Sequence, residues 1–278
     1  MLSLLPFRWH LPELVLIVGL AALHRVAVHD ARARRLVLIA LASFLVVTIW
    51  PVGDLAASVS LTFAAMQRLV IMLVVAPLLL MSTSVDFLVK ITRPRLVDPI
   101  VRRLSHPGVA IFVVTIMGTL TLAVPVVDLG ARSIVARDLI LLIVLFVGLV
   151  MWVPALSIMP GAKRFSPAAR AGYIAGSAIV VTSLTFVWIF APHPLYPGLQ
   201  NQFALLHMSP LFDQQFAGFV AKLGCYVPMW TVAFNVFFNA DDSGVSVDDS
   251  PLHWADVERQ LLRLDRKRAR DLRRHRPD

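Results

Sequence analysis

Seven apolar runs, at residues 11–29, 36–53, 59–82, 108–127, 138–159, 171–191 and 211–239, alternate along the chain with short polar, basic or proline-bearing stretches. A helix needs about 20 residues to cross the hydrocarbon core of a bilayer, and the runs cluster around that length. None shows the period-2 alternation of a barrel strand, and lipid offers no partner to an unpaired backbone, so each run is predicted as a helix. The expected fold class is therefore all-α, a polytopic membrane bundle of seven transmembrane helices. The first run begins at Leu11 in the manner of a signal peptide, but only Arg8 precedes it, Arg32, Arg34 and Arg35 follow it, and no small-residue cleavage site is evident. It is read as a retained span.

The intervening stretches alternate in charge. Arg32, Arg34 and Arg35 lie in 30–35, Lys90, Arg93, Arg95, Arg102 and Arg103 in 83–107, Lys163, Arg164 and Arg170 in 160–170, and nine more basic residues follow Asn239. The stretches 51–58 and 192–210 hold none, and 128–137 holds Arg132 and Arg137. By the positive-inside rule this places the N-terminus outside and the C-terminus in the cytoplasm of a cell (plasma) membrane protein.

Composition agrees: 58% of the 278 residues are hydrophobic, 15% are charged, and the mean hydropathy is +0.76. Such values fall outside the soluble globular range. A net charge of +9 would suggest nucleic acid for a soluble protein, but here the basic residues flank apolar spans, which points to topology and to membrane lipid, not to nucleic acid. A lone cysteine, Cys225, excludes an internal disulfide. Two units are expected: a transmembrane domain at 1–239 and a cytoplasmic tail at 240–278. In the tail Leu252, Trp254, Val257, Leu261 and Leu264 recur at helical spacing on a basic background, the pattern of a helix lying on an anionic leaflet or a partner.

Pro77, Pro125, Pro154 and Pro228 fall within or near the ends of spans and are expected to kink them. Gly172 and Gly176 form a GxxxG that would permit close helix contact. No internal repeat of the transporter kind is found.

The polar groups inside the spans are the candidate functional residues. Asp213, Gln214, Gln215 and Lys222 interrupt the last run, and Gln67 and Arg68 the third. A cation at mid-membrane costs about 2.5–3.5 kcal/mol on insertion scales, so Lys222 is expected to face the bundle interior, water or a partner. Arg68 is expected to pair with a carboxylate, Asp213 or Asp138. Glu13, Asp54, Asp128, Asp138, His193 and His207 gather at the outer boundary on this topology. For metals, His193, His207, Met208, Cys225 and Met229 are the weak candidates, suited to copper, but none sits at a tight ligand spacing, so no metal site is expected. Neither a nucleophile elbow nor a phosphate loop is present, so no enzyme activity is expected.

The segment Asp213-Gln214-Gln215-Phe216-Ala217-Gly218, following an outer loop that bears Pro192, Pro194, Tyr196 and Pro197, resembles the CtaG family of cytochrome c oxidase assembly factors. Span three adds Gln67 and Ala76-Pro77-Leu78-Leu79, similar to that family's glutamine and proline-dileucine run. The resemblance implies a multi-pass membrane protein that helps mature haem-copper oxidases at the step supplying their outer-side copper. This chain departs from the family pattern His-Met-x-Gln-His, having Ala64, Ala65, Met66, Gln67 and Arg68, and after Gly218 it has Ala221 and Lys222 where a methionine is common. An arginine at an imidazole position repels a cation. The expectation is thus a scaffold for, or an accessory subunit of, a cytochrome c oxidase, contacting oxidase subunits and ligating no copper. Two other classes fit the span count: a small-solute or ion carrier using Arg68 and Lys222, and a retinal protein with Lys222 as the Schiff-base residue, which lacks an acid in span three.

Overall fold

The computed structural model describes residues 14–15, 17–22, 30–92, 94, 97–158, 165–199 and 206–239. Most of the first predicted span, Glu13 and the whole tail after Asn239 lie outside the described residues. Those described are helical with connecting turns and include no strand. The helices are α1 (Ala31–Thr48), α2 (Val52–Ser58), α3 (Leu61–Ser82), α4 (Val85–Thr92), α5 (Val97–Leu104), α6 (Pro107–Leu120), α7 (Val124–Arg132), α8 (Ile134–Leu156), α9 (Pro167–Val181), α10 (Thr185–Phe190) and α11 (Pro210–Phe238).

Four predicted spans are single stretches long and apolar enough to cross a membrane: α3, α8, α9 with α10, and α11. The other two within the described residues are broken. The run 36–53 bends by 53° between α1 and α2, where Pro51 cannot donate a backbone hydrogen bond. The run 108–127 ends early: α6 stops at Leu120, a turn follows, and Pro125 sits in the first turn of α7. Pro125 thus opens a helix where a kink within one was expected, because proline is pre-shaped for the first turn and its missing N–H is no loss there. The stretch 83–107, expected as a loop, forms α4 and α5. The latter meets α6 at 89° and carries an exposed Asp98–Arg102 pair at 2.9 Å, a charged helix that hydropathy does not register.

α3 lies at the centre, against α1, α2, α8 and α11, while α11 also packs on α9 and α10. Phe44, Ile71, Val75, Met151, Ile174 and Met229 form the heart of the core. The outside of the bundle is apolar too: Leu38, Val46, Phe112, Ile116, Leu139, Phe219 and Leu223 are exposed. That is the surface of a protein surrounded by lipid.

Within α3 the register widens to a π turn at Ile71–Val75, and the N–H of Ala76 reaches back five residues to Ile71 O. In that register Met72 O would look to residue 77, but Pro77 has no N–H. Trp152 of α8 fills the place, its Nε1–H donating to Met72 O at 2.8 Å. Gly148, one turn earlier on α8, lets the backbones approach there: a Cβ would fall 2.9 Å from Ala76 Cβ and 3.0 Å from Met72 Cα. The predicted GxxxG does not act this way, since a Cβ on Gly172 or Gly176 would meet nothing within 4 Å.

Candidate functional site

The polar residues of α11 and α3 form one layer of the bundle, and their partners are helix ends. Pro210 opens α11, and Ser209 caps it by accepting the Phe212 N–H at 3.2 Å. Asp213, 1% exposed, turns from this first turn to the start of α3. Its Oδ1 accepts Ser60 Oγ–H at 2.6 Å and the Thr62 N–H at 3.3 Å, its Oδ2 accepts the Leu61 N–H at 2.7 Å, and Thr62 Oγ1–H donates to its carbonyl at 3.1 Å. The first amides of a helix have no intrahelical acceptor and carry its positive dipole end, so a buried carboxylate is favourable at this place.

Gln214 serves the neighbouring helix. Its Nε2–H donates to Trp188 O near the end of α10 at 3.3 Å, and its Oε1 accepts the Leu195 N–H at 2.7 Å. Gly218, one turn on, admits α10: a Cβ would lie 2.6 Å from Ile189 Cγ1 and 3.0 Å from Thr185 O. Gln215 is half-buried and its side chain makes no hydrogen bond to a described residue. Trp188 Nε1–H donates to Tyr196 Oη at 2.9 Å, and Tyr196 Oη–H to Leu122 O at 2.8 Å, tying the loop after α10 to the turn after α6. Burial pushes the Tyr196 phenol above its ordinary range, with the Trp188 hydrogen bond and the Arg68 charge opposing it.

On α3, Gln67 Nε2–H donates to Val47 O at 2.7 Å, at the C-terminal end of α1. Arg68 donates from both terminal nitrogens, to Thr121 Oγ1 and Thr121 O, each at 2.7 Å, at the C-terminal end of α6. Both are carbonyls left without an intrahelical donor, and the arginine also sits at the negative end of the α6 dipole. The carboxylate expected to pair with Arg68 is therefore replaced by a helix terminus. Asp213 is taken up by α3, and Asp138 lies 3.8 Å from Arg137, which also reaches Asp54 at 3.2 Å. The acidic cluster forms around Arg137, a residue the sequence marks only as one of a loop's basic pair. Asp128 lies apart from it, accepting the Gly198 N–H at 3.0 Å.

Lys222 has an aromatic environment. Its Nζ sits 3.7 Å from the centroid of Phe186 and 4.9 Å from that of Tyr226, an arrangement in which ring faces stabilise a cation. Among the described residues no carboxylate pairs with it.

The candidate metal ligands do not converge. His193 and His207 are exposed, Met208 is half-buried, and Cys225 Sγ–H points at Met229 Sδ at 3.5 Å in the core. From Ser209 to Cys225 is about 24 Å along the helix at 1.5 Å per residue. Among the described residues no three His, Cys, Asp or Glu side chains gather to hold a metal.

Below the polar layer, α3, α6, α8, α11 and the turn between α9 and α10 line a half-open cleft with a cavity of about 90 Å³, walled by apolar side chains such as Met72, Val147, Met151 and Leu184, with Arg68 and Cys225 on its wall. No sequence pattern announces this cavity.

No curated protein and no solved structure matches the chain. A family model described as cytochrome c oxidase caa3 assembly factor (Caa3_CtaG) matches residues 15–240, which hold every helix named above, and the resemblance carried by Asp213–Gly218 and the Ala76–Leu79 run is borne out: the chain belongs to that family.

Proposed function

We propose that this family member is a membrane scaffold for the assembly of a cytochrome c oxidase, or an accessory subunit bound to it, and that it works through shape and surface without ligating copper itself. The observation that carries the reading is the use made of the polar signature: Gln67, Arg68, Asp213 and Gln214 each close a helix end inside the bundle. Groups committed to architecture hold a defined surface for a partner; they are not poised for chemistry. A surface of the right kind is available on α11, the least buried of the four long spans, where Phe212, Phe216, Phe219, Trp230, Phe234 and Phe238 are exposed. Aromatic residues supply large, rigid contact area at protein interfaces.

In this reading the chain spans the cell membrane seven times, with its N-terminus outside and the basic tail on the cytoplasmic leaflet, as the charge alternation supports. The carrier reading has less behind it, because Lys222 stacks on Phe186 and Tyr226 and is not among the residues lining the cavity beside Arg68. The retinal reading has less still, with no carboxylate paired to Lys222 among the described residues.

The test is purification in mild detergent through a tag on the tail, with haem spectra and metal analysis of what co-elutes. Oxidase subunits carrying haem and copper are expected to follow the tag. Recovery of the protein alone with stoichiometric copper overturns the proposal.

A further inference from the structure

The guanidinium of Arg68 is an unbalanced cation on the wall of an apolar cavity. Of its five N–H donors, two are engaged by Thr121, and no carboxylate or other acceptor among the described residues takes the remaining three. Apart from Thr119, a neutral hydroxyl, the other polar groups lining the cavity are already committed. Thr115, Thr121, Thr182 and Thr185 donate their hydroxyl hydrogens to helix carbonyls at 2.6–2.7 Å, and Trp188 Nε1–H is held by Tyr196. The site therefore offers one fixed fork of spare donors and one positive charge, with Met72, Leu73, Val144, Val147, Met151 and Leu184 beyond it. A planar fork of this kind matches the oxygens of a carboxylate or a phosphate.

We propose that this cavity binds a single-chain anionic amphiphile drawn from the bilayer, its carboxylate or phosphate head on Arg68 and its apolar chain between α3, α6, α8 and α11. The cleft is half-open and holds a cavity of about 90 Å³, so the head and the first part of the chain sit inside it and the rest of the chain extends from its mouth. The charge argument selects an anion, and the apolar walls select a chain attached to it. A free inorganic anion would satisfy the guanidinium but leave the rest of the space unfilled.

The full chain in non-ionic detergent is titrated with palmitate, methyl palmitate, acetate and inorganic phosphate, and bound ligand is counted by native mass spectrometry. Palmitate is expected to bind saturably at one site and about tenfold more tightly than its methyl ester, the difference between a charge-assisted and a neutral hydrogen bond. Acetate and phosphate are expected not to compete. Arg68→Gln reduces palmitate to the level of the ester. Since that variant also loses a tie to α6, Gly118→Leu provides an independent check: it fills the cavity, where a Cβ has room 3.9 Å from Val147 Cγ1, and it is expected to weaken palmitate and ester alike. Equal binding of palmitate and ester, or palmitate binding unchanged by Gly118→Leu, overturns the proposal. Competition by acetate or phosphate at the same concentration overturns the lipid and leaves a free-anion site.

Discussion

Asp213 Oδ2 accepts the Leu61 N–H at 2.7 Å, so a carboxylate in the first turn of α11 caps the start of α3, 152 residues earlier in the chain. Two helices thereby begin at a common level, and their dipoles share one negative charge. Asp213→Ala orphans the Leu61 N–H and leaves Ser60 Oγ–H without its acceptor, at about 1–3 kcal/mol for each buried donor. The expected loss is about 2–5 kcal/mol, read as a lowered unfolding temperature in detergent from tryptophan fluorescence. Asp213→Asn recovers about half of it, because an amide accepts one donor and turns its own N–H groups on the other. A fully stable Asp213→Ala protein would mean that Ser60 alone suffices as the cap.

The polar residues that matter were legible in the sequence, but their partners were not. Arg68 and Asp213 stand out as charges in apolar runs, and Coulomb reasoning pairs such charges with each other. Two helices, however, end inside the bundle, α1 at Thr48 and α6 at Leu120, and a terminus presents bare carbonyls that take up Gln67 and Arg68 in place of a carboxylate. Hydropathy registers the length of an apolar run and is blind to a break within it, so 36–53 and 108–127 read as whole spans although Pro51 and the turn at 121–123 divide them. The spans α3, α8 and α11 were readable because each stays one continuous helix through its proline, Pro77, Pro154 or Pro228, so the apolar run and the helix coincide. The close approach of α8 to the π turn depends on Gly148 and Trp152 together, a pairing visible only once Met72 is known to lie opposite.

The glycines give a sharp contrast. At Gly218 a methyl group would lie 2.6 Å from Ile189 Cγ1 and 3.0 Å from Thr185 O, so Gly218→Ala must push α10 away and strain the Gln214 bond to Trp188. A destabilisation of about 1–3 kcal/mol is expected for such overpacking. Gly172→Ala and Gly176→Ala meet nothing within 4 Å and are expected to raise stability by about 0.5–1 kcal/mol each, the usual gain over glycine inside a helix. Thermal unfolding of the three variants decides it; equal losses at Gly172 and Gly218 would make the GxxxG a contact after all.

Tyr196 confers an alkaline limit. Burial raises its folded-state pKa above the unfolded value of about 10, so the neutral phenol is the form that folding favours. Its contribution is therefore fully present below about pH 10 and is lost as pH climbs from there through the folded-state value. Tyr196→Phe loses the bonds to Trp188 and Leu122 and is less stable at neutral pH by about 1–2 kcal/mol, but the difference from wild type should shrink above pH 10. Stability curves of the two proteins that stay parallel from pH 7 to pH 11 would show that Tyr196 ionises alike in the folded and unfolded chains, so that burial does not hold its phenol neutral.

The direction in which the bundle sits can be read with thiol labels. Cys225 is 2% exposed in the core and is the chain's one cysteine, so the native protein should be silent to a membrane-impermeant maleimide. Lys90 and His193 are exposed and lie at opposite ends of the structure: Lys90 follows the end of α3 at Ser82, whereas His193 is two residues from Leu195, which is bonded to Gln214 beside the α3 start. The 22 residues of α3 rise about 33 Å, slightly more than the hydrocarbon core of about 30 Å, so the two positions are expected to face different compartments. Positive-inside reasoning puts Lys90 in the cytoplasm. In intact cells His193→Cys should therefore label and Lys90→Cys should not, until the membrane is opened. The opposite pattern would invert the bundle, placing the Asp213 end and the loop after α10 on the cytoplasmic side, against the orientation proposed from the charge alternation.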